Sequence, residues 1–98
     1  MVNEVALQGV LETRESLKYL LSGAAVSRFT LHYEGKQAEA GGERKLKFSA
    51  DCVALGTLGE SLDKVPLGTE IKVKGFLAPS SSRSKKLLVH ITEYEKGV

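Results

Sequence analysis

The sequence predicts an all-β domain in which five strands curl into a small closed barrel, with one short helix between the third and fourth. Three observations point to it. Apolar and polar residues alternate with a period of two in five separate segments. Glycine falls inside or at the end of several of them, where a bend or a close backbone crossing suits it better than a flat sheet. The one helical stretch, near residues 57–62, is too short to build a core of its own.

The first segment, residues 4–12, sets Val5, Leu7, Gly9 and Leu11 on one face and Ala6, Gln8, Val10 and Glu12 on the other. Residues 13–24 read as a connection ending in a Ser22-Gly23 turn, with Lys18 and Tyr19 among Leu17, Leu20 and Leu21. The second strand, 26–34, packs Phe29, Leu31 and Tyr33 and leaves Arg28, Thr30, His32 and Glu34 wet. Residues 35–43 have no apolar period and three glycines, which predicts a long mobile loop.

The third strand, 44–55, directs Leu46, Phe48, Ala50, Cys52 and Ala54 inward and Lys45, Lys47, Ser49 and Asp51 outward. Gly56 ends it. Thr57 and Glu60 have capping-box spacing, and the leucines of this helix plug one end of the barrel. After the turn at 66–69, residues 70–77 alternate Ile71, Val73 and Leu77 against Lys72, Lys74 and Phe76. The segment 79–86 is rich in serine and base and holds no acid, and it leads into a fifth strand at 87–94, giving a hairpin with a cationic tip.

With 98 residues, 42% apolar and 27% charged, the chain suffices for one domain spanning 1–98. A single cysteine leaves no internal disulfide, and with two separated histidines it excludes the common four-ligand zinc sites. The N-terminus has no cationic region followed by an apolar run, so the expectation is a soluble, cytoplasmic protein with no membrane contact. Neither a nucleophile with its base, nor a phosphate loop, nor a dinucleotide fingerprint is present, which predicts a non-enzymatic protein without cofactor or metal. Cys52 reads as a packed side chain rather than a reactive thiolate.

Charge carries the functional signal. Residues 1–43 hold six acids and four bases, whereas residues 44–98 hold ten bases and six acids. In a closed five-stranded barrel the outer face of strands two and three lies between the first and last hairpin loops. Lys18 from the first loop, Arg28, Arg44, Lys45 and Lys47 from the face, and Arg83, Lys85 and Lys86 from the last hairpin would then follow a phosphate backbone. Outward lysines can also simply protect strands from edge pairing. Tyr19 could supply a stacking ring, although its apolar neighbours favour an anchor packed on the barrel. Phe76 suits a base, a partner or a dimer equally. Ala6, Gln8 and Val10 are small and only partly polar, as an edge strand that pairs with a second copy would be.

The order of these elements, with Asn3, Leu7-Gln8-Gly9, Ser22-Gly23, Phe29-Thr30-Leu31, Glu39-Ala40-Gly41, Val53-Ala54-Leu55-Gly56, the run 68–76 and Leu88-Val89-His90, resembles the bacterial single-stranded DNA-binding class of OB-folds. Within it the chain is similar to the primosomal replication protein N family, from Asn3 to Tyr94. The resemblance implies a homodimeric OB-fold that binds single-stranded DNA without sequence preference. It also implies work with the PriA helicase, and with other primosome proteins such as DnaT, to restart replication. Lys18, Arg83, Lys85 and Lys86 match the basic part of that pattern. Gly42 and Lys47 stand where some relatives place rings, and Glu34 stands at the rim where a base is expected, so the affinity should be modest and carried by phosphates. A docking adaptor for the helicase and an RNA-binding OB-fold are the other readings these residues allow.

Overall fold

The computed structural model describes residues 1–97. Its elements are β1 (Val5–Arg14), β2 (Lys18–Tyr19), β3 (Ala25–Glu39), β4 (Gly42–Leu55), α1 (Thr57–Asp63), β5 (Glu70–Pro79) and β6 (Leu87–Lys96). The sheet runs β1-β5-β6-β4-β3-β2, and a further β1–β3 pairing closes the first five of these strands into a barrel. This is the predicted five-stranded architecture. The two-residue ladder of β2, inside the segment expected to be an irregular connection, adds a strand to the count, so the helix falls between β4 and β5.

Closure requires β1 to serve two neighbours. Its first half pairs with β5 from Val5 to Val10, and its second half pairs with β3 from Val10 to Arg14. Between Leu11 and Thr13 the register slips by one residue, and such a bulge sharpens the twist of a strand at a barrel corner. β1 is therefore an edge strand over only part of its length: the flank of Val5–Gly9 away from β5 has no ladder among the described residues, whereas from Val10 onward β3 occupies it. Gly9 sits at the crossing, where a Cβ would come 2.6 Å from the carbonyl oxygen of His32. At Gly75 a Cβ would collide with the backbone of His90. Neither position tolerates a side chain without moving a neighbouring strand.

The interior is aliphatic, as the shortage of aromatics demands. Leu11, Leu31, Leu62, Ile71 and Val73 are fully buried, and Phe29, Val89 and Ile91 complete the cluster. Cys52 belongs to it at 1% exposure, and burial, reinforced by the charge of Asp51, pushes its thiol up to about 12. That places it among packed cysteines, as strand parity predicts.

The helix plugs one end of the barrel through Leu62, with Leu58 against the core. Its capping box does not form. Gly56, not Thr57, occupies the N-cap, with φ of 70° and no side-chain cap, which moves Glu60 one position too far along. The other end is secured from β1: the Arg14 guanidinium donates to the carbonyls of Leu62 at 3.1 Å and Val65 at 2.5 Å. A cation there also complements the negative end of the helix dipole.

The largest departure from the sequence reading lies at residues 35–43. There β3 and β4 continue as an unbroken antiparallel ribbon of paired residues from Val26↔Leu55 to Glu39↔Gly42. Ala40 and Gly41 form the two-residue turn with φ of 51° and 80°, as a twisted hairpin favours. Beyond the barrel both ribbon faces meet water, so backbone pairing persists where the apolar period disappears. The same overshoot leaves Phe48 41% exposed instead of buried, stacked on Tyr33 with ring centroids 5.0 Å apart.

The backbone crossing at Gly75 gives a direct test of this packing. Gly75→Ala should lower stability by about 1–3 kcal/mol, the usual cost of forcing atoms into a filled space. Urea denaturation followed by circular dichroism would measure it.

Candidate nucleic-acid interface

The outer face of β3 and β4 is fixed by their register. Arg28, Thr30, His32, Glu34 and Lys36 of β3 lie opposite Val53, Asp51, Ser49, Lys47 and Lys45 of β4. At roughly 3.3 Å per residue, this strip runs about 26 Å from Arg28 to Lys36.

One end of the strip lies against the last hairpin. Ser80 donates its N–H to the carbonyl of Lys86 at 2.8 Å, which pins the base of the 80–86 loop. The Lys86 ammonium reaches Asp51 at 3.2 Å. A cleft of about 210 Å³ results, with Thr13, Arg28, Thr30, Asp51, Lys86 and Leu88 among its lining residues. Glu15 also lines it and holds Lys18 at 3.7 Å. Arg28 and Lys86, 58 residues apart in the chain, thus line one cleft, and Lys18 stands beside it on the Glu15 carboxylate.

At the other end, Lys36, Lys45 and Lys47 surround an apolar hollow over Gly35 and Leu46. The middle is acidic and hydrogen-bonded. The bulge in β1 aims Glu12 at this face, where it accepts from Ser49 at 3.0 Å and lies 3.1 Å from Nδ1 of His32. Nε2 of His32 lies 3.4 Å from Glu34, and Lys47 lies 3.5 Å from that same carboxylate oxygen. The hydrogen bond from His32, followed by the charge of Lys47, holds the Glu34 carboxyl below its usual 4.5.

Of the predicted cations, Lys18, Arg44, Lys47 and Lys86 each have a carboxylate within ion-pair distance. Arg28, Lys45, Arg83 and Lys85 have no such partner among the described residues. Arg44 is not brought to the strip. It pairs in register with Gln37, on the opposite face of the ribbon from Lys45 and Lys47, and reaches Glu39 at 3.1 Å. The Tyr19 ring is 63% exposed, which corrects the expectation of a packed anchor: the β2–β3 ladder lifts it off the core, opposite Ala25.

The stacked pairs Tyr33–Phe48 and Phe76–His90 and the matching of cations to acids are visible only in the structure. All three depend on cross-strand register, which alternation alone does not reveal. Among the described residues, no group of three or more His, Cys, Asp or Glu side chains could hold a metal ion, and no helix is long and apolar enough to cross a membrane.

A five-stranded barrel closed by one helix, with a strip on its second and third barrel strands flanked by the first and last hairpin loops, defines an OB-fold. Residues 3–93 match the model of a family described as "another single-strand binding protein family", and the chain belongs to that family. It is 35% identical over 78 residues to the replication restart protein PriB of Bordetella pertussis, across 80% of this chain and 73% of that one. The structure of priB from Ralstonia solanacearum is similar at a TM-score of 0.89 and 30% identity, covering 98% of each chain. The single-stranded DNA binding protein from Thermus aquaticus, at 23% identity, shares the fold with a TM-score of 0.79, covering 99% of this chain and 50% of that one.

The acidic centre of the strip makes a testable statement. Glu34 should titrate below the usual carboxylate midpoint, staying ionised and paired as pH falls until its depressed pKa is reached. Replacing His32 by Ala should move that midpoint upward, as read from side-chain carbon chemical shifts in an NMR titration.

Proposed function

We propose that the chain binds single-stranded DNA along the β3–β4 strip, mainly through phosphates and without sequence preference, as an accessory protein of replication restart that works with the PriA helicase. The observation that carries this reading is the meeting of Arg28 and Lys86 in one cleft, with Lys18 held beside it by Glu15, at the end of a strip whose far end holds Lys45 and Lys47. Membership of a single-strand binding family and the names of its relatives support the same conclusion. No base-reading pattern is needed, because phosphate contacts fix a strand's path without carrying sequence information.

The paired cations set the expected strength. Exposed ion pairs are worth about 0.2–1 kcal/mol each, so a phosphate can replace a carboxylate at small cost, although the displaced acid stays nearby. Glu12 and Glu34 in the middle of the strip repel a polyanion. The cations of the strip and the 80–86 loop without a carboxylate partner among the described residues, Arg28, Lys36, Lys45, Arg83 and Lys85, should dominate, and at about 0.7 per phosphate they give a log–log slope of binding against salt of about −3.5. Fluorescence anisotropy with an oligothymidylate at several salt concentrations measures it, and a slope near zero would contradict phosphate binding. The same acids favour a second reading, in which the strip chiefly docks an acid-tolerant partner such as the helicase and holds DNA weakly. Repeating the titration with the helicase present separates the two.

We also propose a homodimer formed through β1. The flank of Val5–Gly9 opposite β5 has no ladder among the described residues; Ala6 and Gln8 are exposed on that stretch and Val10 is exposed where it ends. A second β1 could complete that ladder about a twofold axis. Sedimentation equilibrium at micromolar concentration should give about twice the chain mass of 10.6 kDa, whereas the mass of one chain would exclude the pairing.

A further inference from the structure

One register line crosses four strands on the outside of the barrel. Arg28 of β3 pairs with Val53 of β4, Val53 with His90 of β6, and His90 with Phe76 of β5. Residues paired across a ladder share a face, so these four side chains stand in a row. Val53 is only 4% exposed although it lies outside the main core cluster. Phe76 and His90 stack with ring centroids 5.1 Å apart and planes 10° from parallel. Phe76 is 40% exposed, and neither ring belongs to the core cluster.

The next line along the same face joins Ala78 to Leu88 and Asp51 to Thr30, and Asp51 is the residue that holds Lys86. The aromatic pair is therefore continuous with the cleft that Arg28 and Lys86 line. Three strand spacings of about 4.8 Å put Phe76 about 14 Å from Arg28. No acid interrupts the row between them.

These features select the occupant. A flat, rigid ring on a paired strand offers a surface of one base's size. Beyond it Lys74 and Glu93 form an exposed ion pair at 3.5 Å, so the apolar area ends too soon for a protein segment to bury much of itself. The guanidinium and ammonium on the cleft side favour a ligand that is anionic along its backbone and aromatic along its edge. Positions 42 and 47 of the ribbon carry glycine and lysine, so neither offers stacking.

We propose that the Phe76–His90 stack is a base platform, taking one unpaired nucleobase of a strand whose neighbouring phosphates lie on Arg28 and Lys86. This rests on the reading of the chain as a single-strand binder and extends its contact surface from the β3–β4 strip across β6 to β5.

The test compares two labelled strands of equal length, an oligothymidylate and one whose sugars lack bases, against the wild-type chain, Phe76→Leu and Phe76→Tyr. Phe76→Leu should bind the thymidylate about tenfold more weakly, bind the abasic strand as the wild type does, and keep the wild-type salt slope. Phe76→Tyr, which retains a ring, should keep the wild-type affinity and shows that the position itself tolerates change. Equal binding of the thymidylate by Phe76→Leu and wild type would overturn the platform while leaving the single-strand reading intact. So would equal weakening on both strands. Wild-type protein that binds neither strand would overturn the single-strand reading itself, and the platform with it.

Discussion

Barrel closure is the constraint on which the rest of the molecule depends. It rests on two short seams, four register pairs between β1 and β3 and two between β4 and β6. The second seam is parallel, whereas every other pairing among the described residues is antiparallel, and it carries β6 and the loop before it onto the outer edge of β4. Without it, Lys86 could not reach Asp51, and Phe76 could not join a row that ends at Arg28. Strand twist and bulges allow such closure only where backbones can approach closely. Gly9 and Gly75 provide those approaches, and Arg14 ties the closing strand to the helix that fills the end of the barrel.

The rim built by this closure is mixed in charge rather than uniformly basic. Carboxylates from four segments sit beside cations of the strip and ribbon, and Glu12 reaches the centre of the strip only because β1 bulges there. Exposed pairs of this kind contribute little to folding. Their larger effect falls on ligands: they hold cationic side chains in place and lower the net positive potential that a polyanion meets.

Much of the architecture was legible from alternation. Val5, Leu7 and Leu11, then Phe29 and Leu31, then Cys52 and Ala54 all face inward as their spacing requires, and Gly9 marks a backbone crossing. The ribbon was not legible, because residues 35–43 pair through their backbones while both faces stay wet, and period two vanishes without a buried side. The cap of α1 was misplaced by one residue because Gly56 takes the N-cap without a side chain to announce it. In the candidate site, a closed barrel brings the 80–86 loop beside the outer face of β3 and β4, where Arg28 and Lys86 line one cleft. The position of Arg44 on the wrong ribbon face, the exposure of Tyr19 and the Phe76–His90 stack all required the register between strands, which no single segment encodes.

Closure brings residues from β3, β4 and the 80–86 loop to one face of the barrel, the face proposed to bind a single strand. Titrating single-stranded DNA into isotopically labelled protein and following the backbone amide shifts by NMR tests it most directly. Arg28, Lys45 and Lys86 should shift together, at one stoichiometry and with one midpoint. Shifts confined to α1 and the turn at 66–69, with those three residues silent, would contradict it.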